Sequence, residues 1–344
     1  MLGTGIMGKN GRVHVKMGIQ FVIIAIVTAI ILAGVIVFSI SCKTPSTPNP
    51  PVQPTAPSQT PTPSQNPPAT ISNTPPTTQP TTTSSPVPSP TQVTPPSPSP
   101  TPPASSNIII NHSNWDWYNS QPAEISGAVA NLKIFFAHAS VGANILKGMN
   151  DLHSADSSKY PLIQKSSGGT PPATTVNGAI YEFSRGNPGW TVKISDFETY
   201  IKNGWHDTKV DLAMNKFCYV DPKADWTVYR DSMVTLETQY PGTRFVYWTM
   251  PLTTDKDSNE VLRAQFNQNL RDWIAGQSNK LFFDLADIEA WSPDGQQQLF
   301  TSQGQNYPRV FAGYTPDGGH LNQDAAKRVA TGLYSLIGKI SQAK

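Results

Sequence analysis

The residues best suited to chemistry in this sequence are a serine, a histidine and an aspartate that lie far apart along the chain. Ser140 stands in the stretch FFAHASVG, and Asp317 and His320 stand in the stretch TPDGGHLN. Serine is a weak nucleophile that needs a base, and histidine is the usual base. The histidine in turn needs a carboxylate that fixes its tautomer and stabilises its protonated form. Together, these residue types could transfer an acyl group through a covalent serine intermediate.

Each of the two segments also has an ordinary structural interpretation. Ser140 follows an apolar run and precedes Val141-Gly142, so it could simply cap the N-terminus of a helix. The same place offers unpaired backbone N–H groups, which would suit a nucleophile with an oxyanion hole beside it. Asp317 and His320 could belong to a polar loop, although their spacing in a glycine-containing turn lets the carboxylate reach one ring nitrogen. His138 could line the same site or simply end the strand.

An alternation of strands and helices would have to position these side chains. Apolar runs and helical spacing predict strands at 132–136, 211–220, 244–248 and 281–285 and helices at 142–152, 192–201, 224–240 and 262–273. A last helix begins near Asn322, a good N-cap, with Asp324 in its first turn. This order predicts a mostly parallel sheet covered by helices on both faces. Sites in such sheets form at the carboxyl ends of the strands, where Ser140 would lie.

The order of these features resembles the SGNH (GDSL-like) hydrolase superfamily. In that family the nucleophilic serine follows the first strand, and a D-x-x-H motif just before the last helix supplies the acid and the base. Ser140 and Asp317-Gly318-Gly319-His320 stand in those places. The resemblance covers about residues 130 to 340. It implies a single three-layer α/β/α domain of flavodoxin-like type, a Ser140–His320–Asp317 triad, hydrolysis of esters, and no cofactor.

The same resemblance implies two further oxyanion donors, a glycine and an asparagine about 30 residues later. Gly189 in the stretch SRGNPGW is the candidate glycine, and Asn187 could substitute in space for the asparagine. The asparagine expected at the end of the 211–220 strand is replaced by Val220. Asn215 is interpreted as a structural residue inside that strand.

Other functions remain open on the same residues. The departure at Val220 favours a catalytically silent surface module that binds a glycan or a protein. Acyl transfer to a sugar is a close variant of ester hydrolysis. A cysteine hydrolase would use Cys218, although a lone cysteine on an apolar strand is usually a buried filler. His112, His153 and His206 have no ligand-like spacing, so no metal site is expected.

The N-terminal region differs in composition from the rest of the chain. Residues 1–16 are basic, and residues 17–41 carry no charge and are long enough to span a bilayer as a helix. The basic side predicts a cytoplasmic tip, which places everything after residue 42 outside the membrane. The run can also be interpreted as a lipoprotein signal that ends at Cys42, which would then be lipidated. Both interpretations attach the chain to the outer face of a cell membrane.

The rest of the chain divides into a linker at 43–106 and a domain at 107–344. The linker holds 22 of the 33 prolines and, beyond Lys43, no charge, so it buries too little apolar area to order and is predicted to be disordered. All 23 Asp and Glu but only 21 of the 25 Lys and Arg fall in the domain, which leaves it slightly acidic. We therefore expect no nucleic-acid partner. The expected partners are an acylated small molecule or glycan and, through residues 1–42, the membrane; we expect a monomer.

Overall fold

A computed structural model of the chain describes residues 106–343. The predicted membrane segment, Cys42 and the linker up to residue 105 lie outside the described residues. Within the described part, no helix combines the length and apolar character needed to cross a bilayer.

The centre of the fold is a seven-stranded sheet in which every pairing is parallel. The strands are β1 (Ile108–Ile110), β2 (Lys133–His138), β3 (Ile163–Ser166), β4 (Ala179–Ser184), β5 (Leu212–Asn215), β6 (Arg244–Trp248) and β7 (Leu281–Phe283). Their order across the sheet is β1-β7-β6-β5-β2-β4-β3. The strand that leads to Ser140, β2, is therefore paired on both sides. A separate antiparallel hairpin joins β8 (Leu299–Ser302) and β9 (Gln305–Pro308).

Helices cover both faces of the sheet. They are α1 (Ala123–Val129), α2 (Val141–Ala155), α3 (Trp190–Lys202), α4 (Trp226–Gln239), α5 (Ser258–Ala275), α6 (Leu285–Ala290) and α7 (Gln323–Gln342). Successive side chains of a strand point to opposite faces, and β2 shows the result. Ile134 and Phe136 pack with residues of α1, α2 and α7, whereas Phe135 and Ala137 pack with residues of α3, α4 and α5. The predicted three-layer α/β fold with a mostly parallel sheet is confirmed.

One predicted strand is wrong over half of its length. The run 211–220 forms a strand only as far as Asn215, and the apolar residues after it fold into a turn. The Asp221 carboxylate accepts the Cys218 N–H at 3.0 Å, and the Asp221 N–H returns to the Cys218 carbonyl at 3.2 Å. These bonds replace the sheet pairing that the hydrophobic pattern suggested. Asn215 therefore lies at the carboxyl end of β5, in register with Ala137 of β2, and not inside a longer strand.

The first and last long helices of the domain pack closely together. A Cβ atom at Gly148 of α2 would lie 2.3 Å from the carbonyl oxygen of Ala326 in α7, so only glycine allows this approach. The Leu321 N–H just before α7 donates to the Asn144 side chain of α2 at 3.2 Å. As predicted, the Asn322 side chain caps α7, accepting the Ala325 N–H at 3.0 Å. This packing brings the segment before α7 to the N-terminus of α2, where Ser140 lies.

Candidate active site

The structure brings the three sequence-predicted chemical residues together at the carboxyl edge of the sheet. The Ser140 Oγ lies 2.6 Å from His320 Nε2, and His320 Nδ1 lies 2.6 Å from Asp317 Oδ2. Both distances are those of strong hydrogen bonds. The imidazole is partly exposed, so a ligand can reach it from solvent. The arrangement can withdraw a proton from the serine hydroxyl and hold the resulting positive charge against a carboxylate.

Ser140 has a backbone conformation that residues other than glycine rarely adopt. Its φ of 52° and ψ of −108° place it on a sharp turn between β2 and α2. Two backbone hydrogen bonds close the turn: the Gly142 N–H donates to the Ala139 carbonyl at 3.0 Å, and the Ala143 N–H donates to the Ser140 carbonyl at 2.7 Å. The Ser140 side chain makes no capping hydrogen bond to the helix. The alternative of a simple N-cap serine is therefore wrong for the side chain, because its hydroxyl contacts His320 instead.

Asp317 is fixed by the loop that carries it. One carboxylate oxygen binds the imidazole, and the other accepts the backbone N–H groups of Gly319 at 3.1 Å and His320 at 2.8 Å. Burial alone would raise the pKa of Asp317, but these hydrogen bonds to the charged form outweigh it and lower the pKa to about 2. The carboxylate therefore stays ionised near neutral pH and keeps the histidine in the tautomer that presents Nε2 to Ser140.

His138 is buried and does not face solvent. Its Nε2 lies 2.9 Å from Glu182 Oε2, and the other oxygen of Glu182 accepts the Ser166 hydroxyl at 2.6 Å. Burial lowers the pKa of His138 although Glu182 works in the opposite direction. A neutral imidazole that donates to Glu182 leaves Nδ1 bare, and that atom is buried without a hydrogen-bond partner. The ring also packs under Gly142, where a Cβ would lie 2.5 Å from the His138 Cβ. His138 thus supports the turn beneath Ser140.

The turn after β5 is anchored by a buried ion pair. The ammonium of Lys193 in α3 contacts the Asp221 carboxylate, and both side chains are almost completely buried. Lys193 Nζ also donates to Asn187 Oδ1 at 3.0 Å, which links the loop after β4 to the same pair. Cys218 is buried within this turn as a free thiol. No hydrogen bond among residues 106–343 joins its sulfur to a histidine, which leaves the cysteine-hydrolase alternative without geometric support.

Tyr219 makes a contact with His320 that sequence patterns do not predict. Its hydroxyl oxygen lies 3.4 Å from both ring nitrogens of His320, and the two rings meet edge to face with centroids 5.5 Å apart. Its carbonyl accepts Arg263 Nη1 at 2.8 Å. The tyrosine and the histidine are 101 residues apart in sequence, so no local motif reveals their contact.

The oxyanion candidates lie after β4 and at the end of β5, the two strands that flank β2 in the sheet. Gly189 is the residue before α3, in the loop that follows β4, and Asn187 is two residues earlier in that loop. In the described part of the chain, no hydrogen bond joins either of them to a residue of the Ser140–His320–Asp317 cluster. Asn215, which sequence reasoning set aside, lies at the end of β5 with its Oδ1 held by Arg185 Nη2 at 2.6 Å. The amide nitrogen is therefore the remaining polar atom of the Asn215 side chain. A predicted strand that ended at Asn215 would have identified this residue as a candidate.

Comparisons with known proteins add little to this geometry. No protein-family model matches the chain, and no curated protein matches it significantly. Seven chains of solved structures match, among them a candidate platelet activating factor from Streptococcus pneumonia. That structure is 13% identical with a TM-score of 0.37, over 64% of this chain and 94% of its own. Likeness at this level carries no argument about activity, so the functional reasoning rests on the residues.

Among residues 106–343, no cluster of three or more His, Cys, Asp or Glu could hold a metal ion.

Proposed function

We propose that this chain is a serine esterase of the SGNH (GDSL-like) type. The observation that carries the proposal is the continuous hydrogen-bonded chain from Ser140 Oγ through the His320 ring to Asp317 Oδ2. The strained turn that presents Ser140 supports it, because such conformations cluster at functional sites. The order of the features along the chain, with the serine after a central strand and D-x-x-H before the last helix, is that of the family.

In the proposed reaction, Ser140 Oγ adds to the carbonyl carbon of the ester while its proton moves to His320 Nε2. The tetrahedral intermediate collapses as the bond from carbon to the alcohol oxygen breaks, and the proton on Nε2 passes to that oxygen. Water then adds to the acyl-serine by the same route, which releases the acid and restores Ser140. Asp317 stays ionised throughout and stabilises the transient imidazolium.

The developing oxyanion requires donors beside Ser140. We assign the backbone N–H groups of Ser140 and Gly189 to this role, since they follow the adjacent strands β2 and β4. A side-chain amide would supply a further donor. Asn187 is the sequence candidate, and Lys193 holds its amide oxygen, but the residue is exposed in the loop after β4. Asn215 is the stronger structural candidate because Arg185 likewise holds its amide oxygen and because the residue is buried at the end of β5, in register with Ala137 of the strand that leads to Ser140.

The setting of the domain suggests the class of substrate. With residues 1–42 as a membrane anchor or a lipoprotein signal with lipidated Cys42, and residues 43–106 as a spacer, the domain would act outside the membrane as a monomer. The esters within reach would be acyl groups, such as O-acetyl groups, on cell-wall or extracellular glycans. Acyl transfer to a sugar in place of water is a variant of the same reaction and needs only an alcohol as the second acceptor.

The test is hydrolysis of p-nitrophenyl acetate by the full chain and its Ser140→Ala variant. We expect Ser140→Ala to lower kcat by on the order of a thousandfold or more, because the covalent route is lost. A fluorophosphonate should label Ser140 in the parent chain, detected by peptide mass spectrometry. Cys218→Ser serves as the matched control and should retain full activity.

The two rival functions give different results. Equal rates for the parent and Ser140→Ala, with no labelling, would favour a silent binding module and contradict the proposal. Loss of turnover in Cys218→Ser with retention in Ser140→Ala would indicate a cysteine hydrolase. Product analysis with an added sugar alcohol separates hydrolysis from acyl transfer.

A further inference from the structure

Tyr219 lies beside the histidine that would deliver the proton of the reaction. Its hydroxyl oxygen lies 3.4 Å from both ring nitrogens of His320, and one of these, Nε2, also contacts Ser140 Oγ at 2.6 Å. A proton on Nε2 is the one that must reach the alcohol oxygen when the tetrahedral intermediate collapses. A hydroxyl beside that nitrogen is therefore close to the oxygen of the departing alcohol.

The sheet order places Tyr219 on the opposite side of Ser140 from the proposed backbone oxyanion donor of the β4 loop. Tyr219 follows β5, Gly189 follows β4, and Ser140 follows β2, which lies between these two strands. The oxyanion and the leaving group point in different directions from the tetrahedral carbon. Asn215 at the end of β5 is proposed for the oxyanion, whereas the Tyr219 hydroxyl lies next to the histidine that would protonate the leaving group. The contact with His320 is therefore what suits Tyr219 to the leaving group.

The tyrosine is held firmly enough to act at one position. Arg263 binds its carbonyl at 2.8 Å and is itself fixed by Glu260 and Thr253 through hydrogen bonds of 2.8 Å each. On the other side the ring packs against Gly319, where a Cβ would lie 2.8 Å from the Tyr219 Cε1. A cavity of about 280 Å³ opens beside the tyrosine, lined mostly by polar groups that include Asp255 and Asn259.

We propose that the Tyr219 hydroxyl donates a hydrogen bond to the oxygen of the departing alcohol, and that this polar cavity receives the alcohol, which is hydrophilic. The inference rests on the proposed esterase function. As the carbon–oxygen bond breaks, the electron pair stays on the alcohol oxygen, which takes the proton of Nε2. Tyr219 keeps its own proton and stabilises the developing negative charge before that transfer is complete. In the next half-reaction the attacking water occupies the place of the alcohol.

This role predicts a dependence on the leaving group. A p-nitrophenolate is a stable anion that needs little help, whereas an alkoxide needs a donor as the bond breaks. Removal of one hydrogen bond made in the transition state corresponds to a loss of about tenfold. Tyr219→Phe in the full chain should therefore lower kcat/KM about tenfold for ethyl acetate and less than about twofold for p-nitrophenyl acetate. Rates would be measured by pH-stat over a series of acetate esters, with Tyr307→Phe in the β8–β9 hairpin as the matched control.

The outcomes separate this inference from the esterase proposal. A steeper dependence of kcat/KM on leaving-group acidity in Tyr219→Phe than in the parent supports the role. A uniform loss over the whole series would show that Tyr219 only supports His320 or its own turn, and an unchanged profile would show that it has no role; both overturn the inference and leave the esterase intact. The parent chain and Ser140→Ala are assayed in parallel, and equal rates for these two would contradict the proposed esterase function.

Discussion

The backbone of Ser140 allows the free-energy cost of presenting its hydroxyl to His320 to be measured. A residue with a Cβ at this positive φ is strained, and such strain costs about 1–3 kcal/mol. Glycine adopts the conformation without that cost but loses about 0.5–1 kcal/mol more backbone entropy on folding. Comparison of Ser140→Gly with Ser140→Ala isolates the difference, because both variants lose the hydroxyl and its bond to His320. We expect Ser140→Gly to be the more stable of the two by about 1 kcal/mol.

The assay is urea unfolding of the full chain followed by tryptophan fluorescence, supported by thermal melts. A difference of about 1 kcal/mol corresponds to about 2–4 °C in Tm for a domain of this size. The matched control is Ala143→Gly, three residues further along on the exposed face of α2. It should be less stable than the parent by about 0.5–1 kcal/mol, because its φ is helical and only the entropy term acts.

The sign of the difference decides the matter. Ala143→Gly measures the loss in free energy of unfolding that glycine causes where there is no strain. If Ser140→Gly falls below Ser140→Ala by the same amount, the backbone of Ser140 is not strained and the prediction is wrong. If the two Ser140 variants differ in the predicted direction, the Ser140 hydroxyl is held in place at the expense of stability.

Three further predictions follow from the same site. Asp317→Asn should lower kcat/KM on p-nitrophenyl acetate by on the order of a thousandfold. The pKa of Asp317 in the folded chain is about 2, below the ordinary 3.8. The stability advantage of the parent over this variant should therefore be present above pH 3.8 and be lost as the pH falls toward 2, as measured by urea titrations at each pH. Lys193→Met strands the buried Asp221 charge and should cost about 3–5 kcal/mol in urea unfolding. Adding Asp221→Asn should restore much of it, because the asparagine removes the charge while its oxygen still accepts the Cys218 N–H; no recovery would contradict the pairing. Asn215→Ala should reduce kcat about a hundredfold with KM little changed, and Asn187→Ala far less; the reverse order would make Asn187 the donor.

The proximity of Ser140 to Asp317 and His320 was predictable because chemistry and topology coincide in these segments. Ser140 comes at the end of an apolar strand, and Asp317 and His320 precede a helix with a good N-cap. Two such segments must meet if the first and last helices pack on the same face of a parallel sheet. Strands such as β6, whose five residues are nearly all apolar, were equally readable. The hydrophobic pattern is sufficient in these places because burial decides the structure.

The sequence failed where pairing or a single side chain decides the structure. The strand β1 is a run of only three isoleucines, and β3 is largely exposed, so neither has a hydrophobic pattern long enough to predict a strand. Both become strands through their neighbours in the sheet. The end of β5 depends on one carboxylate, that of Asp221, which turns an apolar run out of the sheet. The contact of Tyr219 with His320 depends on the direction in which the turn after β5 orients the tyrosine side chain. None of these effects is visible in composition or periodicity.

The close approach of α2 and α7 has a consequence for biosynthesis. Gly148 meets Ala326 across that interface, and the two halves of the site lie at its end. Ser140 is synthesised 180 residues before His320, so it cannot contact the histidine while most of the domain is being synthesised. Long-range contacts of this kind form late in folding. In the nascent chain, Ser140 thus lacks its contact with His320 until α7 has been synthesised and has docked against α2.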